Sequence, residues 1–87
     1  MSSNTNYGNN SLSNNTTGIQ NSAFGTSSSK NNTTGKWNSS HGAFSLTNNT
    51  AGISNTSMGT SSLCSNTTGS YNTAIGAGNL CFTPFLI

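Results

Sequence analysis

Asn21-Ser22-Ala23-Phe24-Gly25 returns seventeen residues later as Asn38-Ser39-Ser40-His41-Gly42, then as Asn55-Thr56-Ser57-Met58-Gly59 and Asn72-Thr73-Ala74-Ile75-Gly76. Its first copy is Asn4-Thr5-Asn6-Tyr7-Gly8. A second phrase keeps step with it, at Asn15-Thr16-Thr17-Gly18, Asn32-Thr33-Thr34-Gly35, Asn49-Thr50-Ala51-Gly52 and Asn66-Thr67-Thr68-Gly69. A third column holds Leu12, Ser29, Leu46, Leu63 and Leu80. Self-similarity at a fixed period is the signature of a repeat architecture and outranks local propensity.

The residue types decide which repeat architecture it is. Asn, Ser, Thr and Gly are poor in helix interiors, because they offer the backbone competing hydrogen bonds or cost too much entropy. No apolar stripe of helical period runs through the chain. Glycines recur at alternating intervals of seven and ten residues, which marks regular corners where the backbone turns or approaches a neighbour closely. The expectation is an all-β fold, a β-solenoid or parallel β-roll of about five 17-residue coils. Successive coils stack at about 4.8 Å, so five make a rod of roughly 24 Å. The chain reads as one repeat domain over residues 1–82, with coils starting near residues 4, 15, 32, 49 and 66. Residues 83–87 form an apolar tail or cap.

Stacking turns each alignment column into a ladder. The apolar column Tyr7, Phe24, His41, Met58 and Ile75 is expected to line the interior together with the leucine column. Asn15, Asn32, Asn49 and Asn66, and separately Asn21, Asn38, Asn55 and Asn72, are expected to form amide ladders at the corners. Such a core is thin, and nearest-neighbour stacking is the only source of stability in a one-dimensional array. Two remedies are open: three chains pooling their apolar columns on a shared axis, or flanking repeats or a partner protein that caps the ends.

Composition narrows the function. The 87 residues include no Asp or Glu, two Lys and one His, and Ser, Thr and Asn make up just over half of the chain. Leu, Ile and Phe together fall below the roughly one-fifth share under which disorder becomes a serious alternative. A disordered Asn/Ser/Thr-rich segment is therefore one of the readings carried forward. Against it, high net charge is missing, and neutral Asn-rich chains favour stacked β assemblies with amide ladders. Two lysines are too few for a phosphate-binding surface, so nucleic acid is not an expected partner. No run approaches the roughly 20 apolar residues of a membrane span. Met1-Ser2-Ser3-Asn4 lacks the basic, then apolar, start of a secretory signal, so export by the usual route is not expected.

Few residues are equipped for chemistry. Without side-chain carboxylates the familiar acid–base pairs are missing, and no enzyme is expected. His41 is the only histidine and occupies the slot of Phe24, Met58 and Ile75, which reads as a repeat variant. Cys64 and Cys81 lie one period apart and so become neighbours on adjacent coils. Their spacing allows a disulfide, but stacked free thiols fit a chain without an export signal better, and both states remain open. Two cysteines and one remote histidine do not make a zinc site, and no metal or cofactor is expected. Lys30, Lys36 and Trp37 share one coil, and Trp37 occupies the slot of Gln20, Ser54 and Tyr71. Beside its lysine it suits contact with a glycan or partner, although a lone surface aromatic is ordinary. The Asn-x-Ser/Thr triplets follow from composition and carry little weight as glycosylation signals. The column Thr16, Thr33, Thr50 and Thr67 resembles the flat threonine arrays of ice-binding solenoids and marks a candidate surface-binding ladder.

Asn66-Thr67-Thr68-Gly69-Ser70-Tyr71-Asn72-Thr73-Ala74-Ile75-Gly76-Ala77-Gly78-Asn79-Leu80 resembles the repeat of bacterial surface fibre proteins and phage tail fibres. That repeat runs Asn-Thr-Thr-Gly-x-Tyr-Asn-Thr-Ala-Ile-Gly-x-x-Ala-Leu. More distantly the chain is similar to the head repeats of trimeric autotransporter adhesins, which are left-handed parallel β-rolls. The likeness spans about Asn4 to Leu80. It departs at the alanine before leucine, which is Ser11, Ser28, Ser45, Ser62 or Asn79 here. It implies a non-enzymatic structural segment of a fibre, adhesin-like or virion-associated protein. The segment would be homotrimeric or joined to a flanking fibre protein, and located in a virion or cell-surface fibre. The alternative is a solenoid that binds ice or polysaccharide through its Thr and Asn ladders.

Overall fold

The computed structural model describes residues 3–81, and among them every regular element is a short β-strand. The strands are β1 (Thr5–Tyr7), β2 (Ser22–Phe24), β3 (Ser39–His41), β4 (Thr56–Met58) and β5 (Thr73–Ile75). They form one parallel sheet in sequence order, and each residue pairs with the residue seventeen later, as in Ala23↔Ser40 and Ser57↔Ala74. The chain is a β-solenoid, with four full coils separating β1 from β5. The expected tail at 83–87 lies outside the described residues.

Strands of three residues cannot hold a solenoid by themselves. The ladder continues around the coil through bonds such as Ser29 N to Ser45 O at 2.8 Å and Asn31 N to Thr47 O at 3.1 Å. Backbone groups therefore find partners on adjacent coils even where no strand forms, as buried amides require.

The interior differs from the sequence expectation in one respect, which is a correction. The leucine column is inside: Leu12, Leu46 and Leu63 are buried, and Leu80 packs against Leu46, Leu63 and Ala74. The column of Tyr7, Phe24, His41, Met58 and Ile75 faces outward. Its apolar members are between 36% (Phe24) and 78% (Tyr7) exposed. Strand alternation explains the reversal. The corner Asn21 is buried, so Ala23 two residues on is buried as well, and Ser22 and Phe24 point away. Behind the sheet the space is small. Ala23, Ser40, Ser57 and Ala74 fill it.

Hydroxyl pairs close the coil across this narrow interior. Ser28 Oγ meets Ser40 Oγ at 2.6 Å, and Ser45 Oγ meets Ser57 Oγ at 2.6 Å. Ser29 stands where the other coils have leucine, and Ser40 Oγ answers it at 2.9 Å. At the N-terminal end Asn6 replaces the small inward residue, and its amide donates to Ser11 O at 3.0 Å.

The two glycine columns serve different ends. Gly25 has φ 126°, and a Cβ there would lie 2.7 Å from the Gly42 carbonyl carbon, so both conformation and space exclude a side chain. Gly35 lacks the positive φ; a Cβ there would lie 2.5 Å from Gly52 O. Apart from Gly78, the remaining corners use the left-handed region without glycine, including Leu46 (φ 52°), where the turn swings the side chain into the core.

Candidate functional site

Polar ladders build the frame that positions every exposed side chain. Along the first corner, Asn32 Nδ2 donates to Asn15 Oδ1 at 2.8 Å, Asn49 to Asn32 at 2.9 Å and Asn66 to Asn49 at 2.9 Å. Each amide also donates within its own corner, as Asn49 Nδ2 does to Gly52 O at 3.2 Å. The second corner works differently. Asn38 Oδ1 accepts the backbone N–H of Asn55 at 2.9 Å, while its Nδ2 donates to Gly52 O at 2.9 Å. Asn21 and Asn55 repeat that pattern. A third, exposed amide ladder joins Asn14, Asn31 and Asn48 at 2.9 and 3.2 Å. Sequence reasoning missed it, although the same period puts these residues in one column.

The threonine column is less free than a ligand-binding array needs. Thr33 O accepts the backbone N–H groups of Thr16, Thr17 and Gly18 at 3.1, 3.1 and 3.0 Å. The Thr16 hydroxyl donates to the same oxygen at 3.1 Å, and Thr33 and Thr50 donate likewise to Thr50 O and Thr67 O at 3.2 and 3.3 Å. The structure brings Thr16, Thr33, Thr50 and Thr67 together in a row, with the first three hydroxyls turned along the axis to bind the next coil.

Cys64 and Cys81 are neighbours on adjacent coils, with Cα atoms 4.6 Å apart, and their sulfurs are joined as a disulfide. Among the described residues no three His, Cys, Asp or Glu side chains converge on a point. His41 stands on the outer sheet face, its ring stacked on Phe24 with centroids 5.0 Å apart and planes 13° apart. Its Nδ1 is covered and unpartnered. Lys30 shares the column of Ser13 and Thr47 and is half-buried, away from Lys36 in position along the coil.

Beside the single exposed side chains of Ile19 and Phe44, two exposed columns run along the molecule, separated along the coil by the buried corner asparagines. One is the sheet ridge of Tyr7, Phe24, His41, Met58 and Ile75. The other is an edge column, Gln20, Trp37, Ser54 and Tyr71, in the left-handed conformation with φ of 57°, 59°, 56° and 63°. Trp37 Nε1 donates to Gln20 Oε1 at 2.7 Å, and the Lys36 ammonium sits 4.4 Å from the centre of the Trp37 ring system. Among the described residues every Phe, Tyr and Trp is exposed, while Asn, Ser and Leu fill the interior. No helix among these residues is long and apolar enough to cross a membrane.

Comparison with protein-family models, with curated proteins and with solved structures finds no match to this chain.

Proposed function

We propose that this chain is a non-enzymatic structural repeat segment of a fibre, adhesin-like or virion-associated, that associates laterally with copies of itself or with a flanking fibre protein. The observation that carries this reading is the inverted distribution of side chains. Among the described residues the aromatic side chains stand outside, while the corner amides and the inward serines are buried. Contiguous exposed apolar surface rimmed by polar groups is the usual mark of an interaction face. The ridge supplies it on four of five rungs at strand spacing, with the His41 ring stacked on Phe24 on the rung between. A ridge one side chain wide is too narrow for a stable pair, since a specific interface needs about 800 Å² per partner. Three ridges meeting on one axis enclose each other, which is why a homotrimer suits this surface better than a dimer.

Sedimentation velocity on the purified chain tests the proposal. The expected species has three times the chain mass, and the double variant Phe24→Ser, Met58→Ser is expected to sediment as a monomer with unchanged β-type circular dichroism. A wild-type monomer at all concentrations would remove the lateral-assembly reading. Placement in a virion or cell-surface fibre is part of the same proposal and stands or falls with finding its attached partner.

The alternative of ice binding through the threonine ladder loses support from the bonding of Thr16, Thr33 and Thr50 to the next coil. The polysaccharide alternative keeps a separate basis, the edge column of Trp37 and Tyr71.

A further inference from the structure

The edge column has a geometry that the fibre reading does not use. Its rungs are fixed by backbone bonds: Trp37 N donates to Ile19 O at 3.2 Å, Ser54 N to Lys36 O at 3.1 Å and Tyr71 N to Ile53 O at 3.0 Å. Trp37 and Tyr71 therefore stand two coils apart, about 9.6 Å at the strand spacing, with Ser54 between them. Both are exposed, at 48% and 72%. At Leu46 the left-handed turn sends the side chain inward; in this column it presents the side chain to solvent. The order along the axis is polar, aromatic, polar, aromatic.

That order matches one class of ligand. An extended β-1,4-linked hexopyranose chain advances one ring over nearly the length of one coil and turns alternate rings to opposite faces. Every second ring thus meets an aromatic side chain, and the rings between meet a hydroxyl or amide. Tyr and Trp suit such contacts, because they combine a broad apolar face with a polar tip. The charge of the site selects further. The chain carries no side-chain carboxylate, and Lys36, one of its two lysines, is held on the Trp37 ring. The ammonium lies over one face of the indole, which leaves the opposite face for a sugar ring and favours a ligand whose carboxylate reaches past the ring edge to Lys36.

We propose that this edge binds an extended acidic polysaccharide, a β-linked uronate chain laid parallel to the solenoid axis. Trp37 and Tyr71 carry alternate rings, Gln20 and Ser54 bond the hydroxyls between them, and Lys36 pairs with a uronate carboxylate. The proposal holds for a monomer or a trimer, so it is independent of the lateral-assembly reading.

Trp37 is the only tryptophan, so its fluorescence reports this site alone. The full chain is titrated with a β-1,4-mannuronate hexamer, with neutral mannohexaose and with single-stranded DNA of equal charge. The expected result is a saturable emission shift with the uronate, about tenfold weaker binding of the neutral chain, and no saturation with DNA. The repeat itself supplies variants already tolerated in each slot: Lys36→Ile after Ile19 and Ile53, Trp37→Gln after Gln20, and Tyr71→Ser after Ser54. By calorimetry, Trp37→Gln and Tyr71→Ser are each expected to weaken uronate binding about tenfold, the loss of one aromatic anchor. Lys36→Ile is expected to abolish the preference for uronate over the neutral sugar. Equal binding of all three probes, a flat fluorescence titration, or uronate binding unchanged in Tyr71→Ser would each overturn the proposal. A monomer in sedimentation with intact uronate binding would remove self-assembly and leave this proposal standing.

Discussion

Replacing Asn49 by alanine removes more structure than the loss of one small amide suggests. Asn49 is fully buried; its Nδ2 donates to Asn32 Oδ1 at 2.9 Å and Gly52 O at 3.2 Å, and its Oδ1 accepts from Asn66 Nδ2 at 2.9 Å. Three bonds disappear together, each contributing about 0.5–1.5 kcal/mol net. Gly52 O keeps the Asn38 amide and Asn66 Nδ2 keeps Gly69 O, but Asn32 Oδ1 is left buried without its donor. Stranding that acceptor costs about 1–3 kcal/mol. The expected loss is about 3–5 kcal/mol, a large share of what a domain this size possesses. The same substitution at two other rungs calibrates it. Asn15, at the ladder end and half-buried, makes two of these bonds, so Asn15→Ala is expected to cost about 1–2 kcal/mol. Asn31 lies in the exposed ladder, where water replaces the lost partners, so Asn31→Ala is expected to cost under about 0.5 kcal/mol. Urea unfolding followed by far-UV circular dichroism gives all three values. Equal losses at Asn49 and Asn31 would refute the claim that buried amide ladders hold the coils together.

Other outcomes test other parts of the structure. Reducing the Cys64–Cys81 disulfide, which closes a loop of one coil, is expected to cost about 3 kcal/mol, with the loss of amide-exchange protection concentrated in the last coil. Uniform loss of protection along the chain would contradict nearest-neighbour stacking. Ser11 Oγ is buried without a partner, and Ala23 occupies the slot from which Ser40 and Ser57 meet the Ser28 and Ser45 hydroxyls. Ala23→Ser is therefore expected to add about 1 kcal/mol of stability, and Ser11→Ala to be neutral or stabilising, by thermal unfolding. Gly35→Ala drives a Cβ against Gly52 O and is expected to cost over about 2 kcal/mol, with a lower midpoint in the same urea experiment.

The period, the parallel register and the amide corners are legible in the sequence, because each depends only on which residues recur at seventeen. Asn49 over Asn32 follows from alignment alone. The face each strand presents is not legible in the same way. Hydrophobicity points one slot toward the interior, yet that slot holds Tyr7, Phe24, His41, Met58 and Ile75, side chains of very different size and shape. A tightly packed interior does not accept such variation. The neighbouring slot holds only Ala and Ser from β2 to β5, and that constancy of volume is the available signal of burial. The edge column is half visible. Trp37 and Lys36 stand out by residue type, but pairing Trp37 with Tyr71 along the axis needs the fixed rungs. The state of Cys64 and Cys81 stays open in the sequence because period alone sets Cα proximity and not the bond between the sulfurs.

The described inter-coil hydrogen bonds tie each coil to the ones next to it, in a register of seventeen. Chain length is therefore a countable variable. Removing residues 38–54 would bring Trp37 directly before Asn55 and return each column to its own partners, one coil shorter; duplicating them would lengthen the molecule by one step. A gain or loss of any other size throws every later side chain out of its column. Chains that differ by whole coils would therefore differ in reach while sharing the same surface chemistry.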